Sequence, residues 1–111
     1  MNQILELFKS LKVNESWTYD GFRRKDLTRF TNSYHRYPAR FIPALINRLI
    51  KQYSKREDLV CDPFVGGGTA LIEGLLLQRQ ALGIDINPVA YLIARAKTTY
   101  ISLQRPASLI I

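Results

Sequence analysis

The chain has 111 residues, 47% hydrophobic and 11% aromatic, with 16 basic against 9 acidic side chains and a net charge of +7. That length suits one small domain and leaves no room for an enzyme domain of roughly 200 residues joined to a separate recognition domain. The apolar content excludes a disordered chain, 6 glycines without a period exclude collagen, and a lone cysteine excludes a disulfide scaffold.

Asn2 to Lys12 places Ile4, Leu5, Phe8 and Leu11 at helical spacing, so a short amphipathic helix is expected. From Val13 to Arg36 the periodicity fails. Trp17, Tyr19, Phe22, Phe30 and Tyr34 are scattered among Arg23, Arg24, Lys25 and Arg29, which reads as an irregular segment pinned by its aromatics. Pro43 opens a helix that carries Leu45, Ile46, Leu49 and Ile50 on one stripe and ends near Tyr53–Lys55. Leu59-Val60-Cys61 has the length of a buried parallel strand, with Cys61 a small buried hydrophobe. Gly66, Gly67 and Gly68 form a tight loop, Thr69 can cap the next helix, and that helix runs from about Ala70 to Gln80 with a broad buried face. Ala81 to Ile84 reads as a second strand ending at Asp85. Asn87 followed by Pro88 caps a helix reaching about Lys97. The apolar tail, Ile101 to Ile111, reads as the start of a further element or as a segment packed on the domain.

Strand, glycine loop, helix, strand, acidic residue, helix is the opening of an α/β doubly wound parallel sheet of Rossmann-like type. A right-handed crossover brings the glycine loop and Asp85 to the same carboxyl edge. The expected division is a basic aromatic segment over residues 1–33 and a cofactor-binding α/β part, apparently incomplete, over residues 34–111.

Two acids and the glycines carry the chemistry. Glycines between strand and helix let a ligand approach the backbone closely, and Asp85, 19 residues after Gly66, can accept the hydroxyls of a ribose. A dinucleotide fingerprint starting at Gly66 fails at Leu71, and no Gly-Lys-Ser/Thr triplet forms a phosphate loop. Asp62 at the loop entrance repels a pyrophosphate and suits an ammonium, which favours S-adenosylmethionine. The bland alternative is that Asp62 caps the loop and Asp85 ends a strand. No metal-ligand set and no catalytic triad is seen, and His35 reads as a loop residue.

Asp62-Pro63-Phe64-Val65-Gly66-Gly67-Gly68-Thr69 followed by Gly83-Ile84-Asp85-Ile86-Asn87-Pro88 resembles motifs I and II of the amino-group DNA methyltransferases, which make N4-methylcytosine or N6-methyladenine. His35 to Leu45, with Tyr37-Pro38-Ala39-Arg40-Phe41-Ile42-Pro43, resembles their motif X. The resemblance spans about Tyr34 to Thr98. It implies that Asp62, Phe64, Gly66 and Gly68 line the methionine part of S-adenosylmethionine, that Asp85 holds the ribose and Ile86 packs on the adenine. It also implies that Ala39, Arg40 and Phe41 close over the methionine end. Phe41 and Ile86 read equally well as core residues.

The family's motif IV, Asp/Asn/Ser-Pro-Pro-aromatic, builds the pocket for a flipped base, and the sequence has no Pro-Pro pair. The resemblance therefore implies a cofactor-binding subunit or fragment of a DNA methyltransferase, inactive alone, whose catalytic motif sits on a second subunit. A homo-oligomer, a non-catalytic S-adenosylmethionine-binding or scaffold remnant, and part of an RNA methyltransferase are the other readings. Residues 1–56 carry 12 basic and 4 acidic side chains, residues 57–111 carry 4 and 5. Arg23, Arg24, Lys25, Arg29, Arg36 and Arg40 are thus candidates for DNA phosphates, against a solvated or partner-facing surface. No membrane-spanning run and no secretory pattern is present, so a cytoplasmic location is expected.

Overall fold

The structure, a computed structural model, describes residues 2–28, 30–33, 35, 37, 38 and 40–100. The predicted tail, 101–111, lies outside them. In chain order the elements are α1 (Asn2–Ser10), α2 (Arg24–Leu27), α3 (Pro43–Tyr53), β1 (Leu59–Asp62), α4 (Thr69–Leu76), β2 (Gln80–Gly83) and α5 (Pro88–Thr98). Two single 3-10 turns, Glu15–Trp17 and Phe30–Ser33, interrupt the N-terminal region.

β1 and β2 pair in parallel, with Leu59 opposite Gln80 and Asp62 opposite Gly83. Parallel strands need a crossover, and α4 provides it. Ile46 and Ile50 of α3 meet Ala70 of α4 in the core, flanked by Leu49, Val60 and Leu77. Burying an isoleucine is worth roughly 1.5–3 kcal/mol, so this helix pair is the main apolar anchor of the sheet. The fully buried Glu73 of α4 accepts a hydrogen bond from Asn47 Nδ2 of α3 at 3.0 Å. Arg79 donates to the Ser54 carbonyl at 2.7 Å and the Leu77 carbonyl at 2.6 Å, satisfying acceptors just past the ends of α3 and α4.

Several expectations change. α4 ends at Leu76, because Gln78 turns left-handed (φ 61°) and Gln80 already belongs to β2. Leu75 and Leu76 are exposed, so the buried face of α4 is narrower than its apolar content suggested. Thr69 is the first helical residue; the cap position is taken by Gly68. Cys61 is exposed and Leu59 is 61% exposed, against the expected buried strand. The cause is the period of two: Val60 and its neighbour Ala81 face α4, where Gly74 comes close to both, while Leu59 and Cys61 point to the other face.

The N-terminal region contains more order than its pattern promised. Arg48 of α3 stacks over the Trp17 ring at 3.8 Å and donates to the Ser16 carbonyl, while Tyr19 and Phe22 meet edge to face at 5.0 Å. The predicted helix at the N-terminus is α1, and its apolar residues Ile4, Leu5, Phe8 and Leu11 stay exposed.

Candidate functional site

The chain leaves β1 through a turn that its own side chains hold. Asp62 Oδ1 accepts the Phe64 N–H at 3.0 Å, and the Val65 N–H donates to the Ile84 carbonyl at 2.9 Å, tying the loop to the strand beside it. Asp85, just past β2, accepts the Gly66 N–H on Oδ2 and the Asn87 N–H on Oδ1, both at 2.8 Å. These two amide bonds, from Asn87 first and Gly66 second, hold its carboxyl below the ordinary aspartate range. Gly68 then begins α4 in a left-handed conformation (φ 80°), and a Cβ there would lie 3.2 Å from Ala94 of α5. Both constraints make glycine the residue that fits.

Tyr37 covers the loop from the other side. A Cβ at Gly67 would sit 3.0 Å from the Tyr37 Cβ, and one at Gly66 would sit 3.1 Å from its ring. Beneath the loop, Lys97 of α5 is 7% exposed and donates to the Gly67 carbonyl at 2.9 Å. Burial, together with the nearby Arg40 charge, pushes its ammonium below the ordinary 10.5. Arg40 donates to the Asn32 carbonyl at 2.5 Å, and the Asn32 side chain is buried with no partner for either polar atom among the described residues.

These segments enclose a cavity of about 230 Å³ at the carboxyl edge of the strands. Arg40, Phe41, Asp62, Phe64, Gly66 and Asp85, all singled out in the sequence, line it together. Gly68 does not, since it faces α5. Ile86 is fully exposed beside Asp85 and lies outside the cavity, and Ala39 lies outside the described residues. Neither Phe41 nor Ile86 is a core residue: both are exposed, because no described helix covers that edge. Tyr37, Pro38, Val65, Gly67 and Thr69 also line the cavity and were not singled out. Tyr37 and Pro38 fall inside the motif that carried Arg40 and Phe41. Lys97 had one signal, its spacing from Ala90 and Ala94, which puts all three on the buried face of α5.

Of the basic candidates, Arg23 and Lys25 are exposed around α2. Arg29, Arg36 and the side chain of Arg24 lie outside what is described. Arg40 faces the cavity and not a free surface. Among the described residues no cluster of three His, Cys, Asp or Glu is placed to hold a metal, and no helix is long and apolar enough to cross a membrane.

Fold and edge cavity together define a partial α/β unit with a glycine loop and an acidic strand end meeting at one cleft. A family model described as DNA methylase matches residues 6–96. The chain is 39% identical over 93 residues to the Type II methyltransferase M.MvaI of Kocuria varians, covering 81% of this chain and 20% of that protein. It is 31% identical over 94 residues to the Type II methyltransferase M.MjaII of Methanocaldococcus jannaschii, covering 85% of this chain and 18% of that one. Similarity to M.BsoBI of Geobacillus stearothermophilus is 28% over 109 residues, 87% of this chain and 21% of that protein. No solved structure matches. The chain belongs to the DNA methylase family of N6/N4 amino-methyltransferases, and it spans about a fifth of the length of these curated relatives.

Proposed function

We propose that this chain is the S-adenosylmethionine-binding part of a site-specific DNA methyltransferase acting on an exocyclic amine of cytosine or adenine. The observation that carries this reading is one cavity lined both by Arg40 and Phe41 and by Asp62, Gly66 and Asp85. Residues 34–111 form the cofactor part of a Rossmann-like doubly wound sheet on this reading, and residues 1–33 a basic aromatic segment beside it. When bound, the cofactor supplies an activated methyl group. The residues' work is to hold it. Each Asp85 oxygen keeps a lone pair beyond its amide bond, enough to accept ribose hydroxyls. Asp62 and Gly66, with Arg40 and Phe41, surround the amino-acid end, and the exposed ring of Phe64 offers a stacking face at the rim. A cavity of 230 Å³ is smaller than the roughly 300–1,000 Å³ of closed ligand sites. The adenine therefore extends past it onto Ile86.

Residues 1–111 contain no Pro-Pro-aromatic segment to hold a flipped base, so on this reading they transfer no methyl group by themselves. That motif and the DNA recognition lie outside these 111 residues, in the rest of the assembled enzyme. The open sheet face, with Leu59, Cys61, Leu82 and Ile84 exposed, supports a partner that completes the sheet. Arg23 and Lys25, with Arg24, Arg29 and Arg36, add phosphate contacts in the assembled enzyme.

Calorimetry with S-adenosylmethionine tests the reading. Micromolar binding is expected, falling at least tenfold in Asp85→Ala. Since Asp85 also anchors two loop amides, the melting temperature is measured on the same samples. An affinity unchanged in the variant overturns the ribose role, and a wild-type chain that does not bind overturns the whole reading. Methyl transfer to DNA by the purified chain would overturn its predicted inactivity.

A further inference from the structure

Lys97 has no task in that reading, yet it occupies an expensive position. Its ammonium is buried, with no acidic partner among the described residues and the positive Arg40 nearby. A buried charge without a counter-ion is costly, and an apolar side chain of the same length would fill the space without that cost. Among the described residues, what the ammonium does make is one hydrogen bond, to the Gly67 carbonyl at 2.9 Å.

The consequence lies in the loop backbone. The peptide joining Gly67 to Gly68 is held at both ends, its carbonyl by Lys97 and its N–H by the Val65 carbonyl at 2.8 Å. The N–H of Gly66 is taken by Asp85. The Gly67 N–H has no acceptor among the described residues, and Gly67 lines the cavity. Glycines on both sides, at φ 46° and 80°, give this loop access to other peptide orientations that side chains would forbid. Beside the bonds the loop makes with its own strand ends, a donor from α5 holds the Gly67 carbonyl.

We propose that Lys97 is a positioning residue: its ammonium holds the Gly67 carbonyl on the α5 side, leaving the Gly67 N–H free to donate to an oxygen of the bound ligand. Without that hold, the Val65 bond alone restrains the Gly67–Gly68 peptide from turning its carbonyl into the cavity, where it would repel the same oxygen. The role of the N–H rests on the cofactor-binding reading above; the hold on the loop does not.

The test replaces Lys97 with methionine, which keeps the stem and removes the donors, and with glutamine, which keeps a donor and removes the charge. In the ligand-free protein, nuclear magnetic resonance is expected to show the Gly67 carbonyl carbon and Gly68 amide nitrogen displaced in Lys97→Met and restored towards wild type in Lys97→Gln. Affinity for S-adenosylhomocysteine is expected to fall about tenfold in the methionine variant, the size of one charge-assisted hydrogen bond, while its melting temperature holds or rises. Unmoved loop resonances overturn the proposal. So does an affinity loss matched by a fall in melting temperature, which marks a merely structural lysine. A wild-type chain that does not bind S-adenosylhomocysteine overturns the ligand-facing half together with the cofactor reading, and the loop resonances still decide whether Lys97 holds Gly67. Should Lys97→Met not fold, the wild type decides: a scalar correlation across the bond from Lys97 Nζ to the Gly67 carbonyl carbon is expected, and its absence overturns the proposal.

Discussion

The two faces of the β1–β2 sheet are built from alternate residues of the same two strands, and they meet opposite fates. On one face Val60 and Ala81 pack beneath α4, with the Ile46–Ile50–Ala70 core beyond. On the other, Leu59, Cys61 and Leu82 are exposed. Hydrophobicity does not separate them, since the open face is as apolar as the covered one. The difference comes from where α3 and α4 pack. The candidate site sits at the carboxyl edge that both faces share, so its floor depends on the covered side. Whatever closes over it has the open side to dock against.

The comparison breaks most visibly in the core of the covered side. Ile50→Ala removes a buried side chain where α3 meets α4 and is expected to destabilise the chain by about 3 kcal/mol in urea melts. A cost below about 1 kcal/mol would mean that α3 does not anchor the sheet. Next in size is Gly68→Ala, expected to cost about 2 kcal/mol. The left-handed backbone disfavours alanine by roughly 1–2 kcal/mol, and the new methyl meets Ala94 at 3.2 Å. A variant as stable as wild type would show that the loop relaxes away from α5.

The elements and the family motifs were legible in the sequence because each has a local cause. Pro43 and Pro88 open helices at the first turn, Asn87 caps one, and Gly66 to Gly68 sit where β1 turns into α4. The two strands and their parallel order followed from short apolar runs separated by a helix. The fate of Cys61 did not follow, because a four-residue apolar strand carries no mark of which face will be covered. Thr69 was misplaced for a related reason: Thr after glycines looks like a cap, but a left-handed Gly68 already fills that position. Six site residues gather at one cavity because the motifs that contain them flank the strand ends. The loop contacts of Tyr37, though it lies in motif X, and of Lys97 were not foreseen because they are made across the fold, on loop atoms 29 and more residues away. A lysine in the last turn of a helix reads as an ordinary partner for the dipole.

A smaller effect is expected at the cap of α5. Asn87 Oδ1 accepts the Val89 N–H at 3.0 Å, so Asn87→Ala should cost about 1 kcal/mol. The backbone bond from Asn87 to Asp85 survives that change. Chemical denaturation reads the cost, and Asp85 should keep its hold on the loop. A loss much above 2 kcal/mol would show that the Asn87 side chain supports more than the helix start.

The smallest effect is the sharpest test of the two faces. Leu82 is 46% exposed and paired opposite Cys61, so Leu82→Lys should change the stability of the isolated chain by no more than about 0.5 kcal/mol. On a covered face the same change would bury a charge and cost several times as much. On the proposed reading, its consequence is delayed until a partner arrives: the variant folds and binds cofactor as wild type does, but fails to assemble with a subunit carrying the catalytic motif. Sedimentation of the chain alone supplies the control. If Leu82→Lys destabilises a species that sediments as a dimer, the open face is already occupied by a second copy. The completing partner would then have to dock elsewhere.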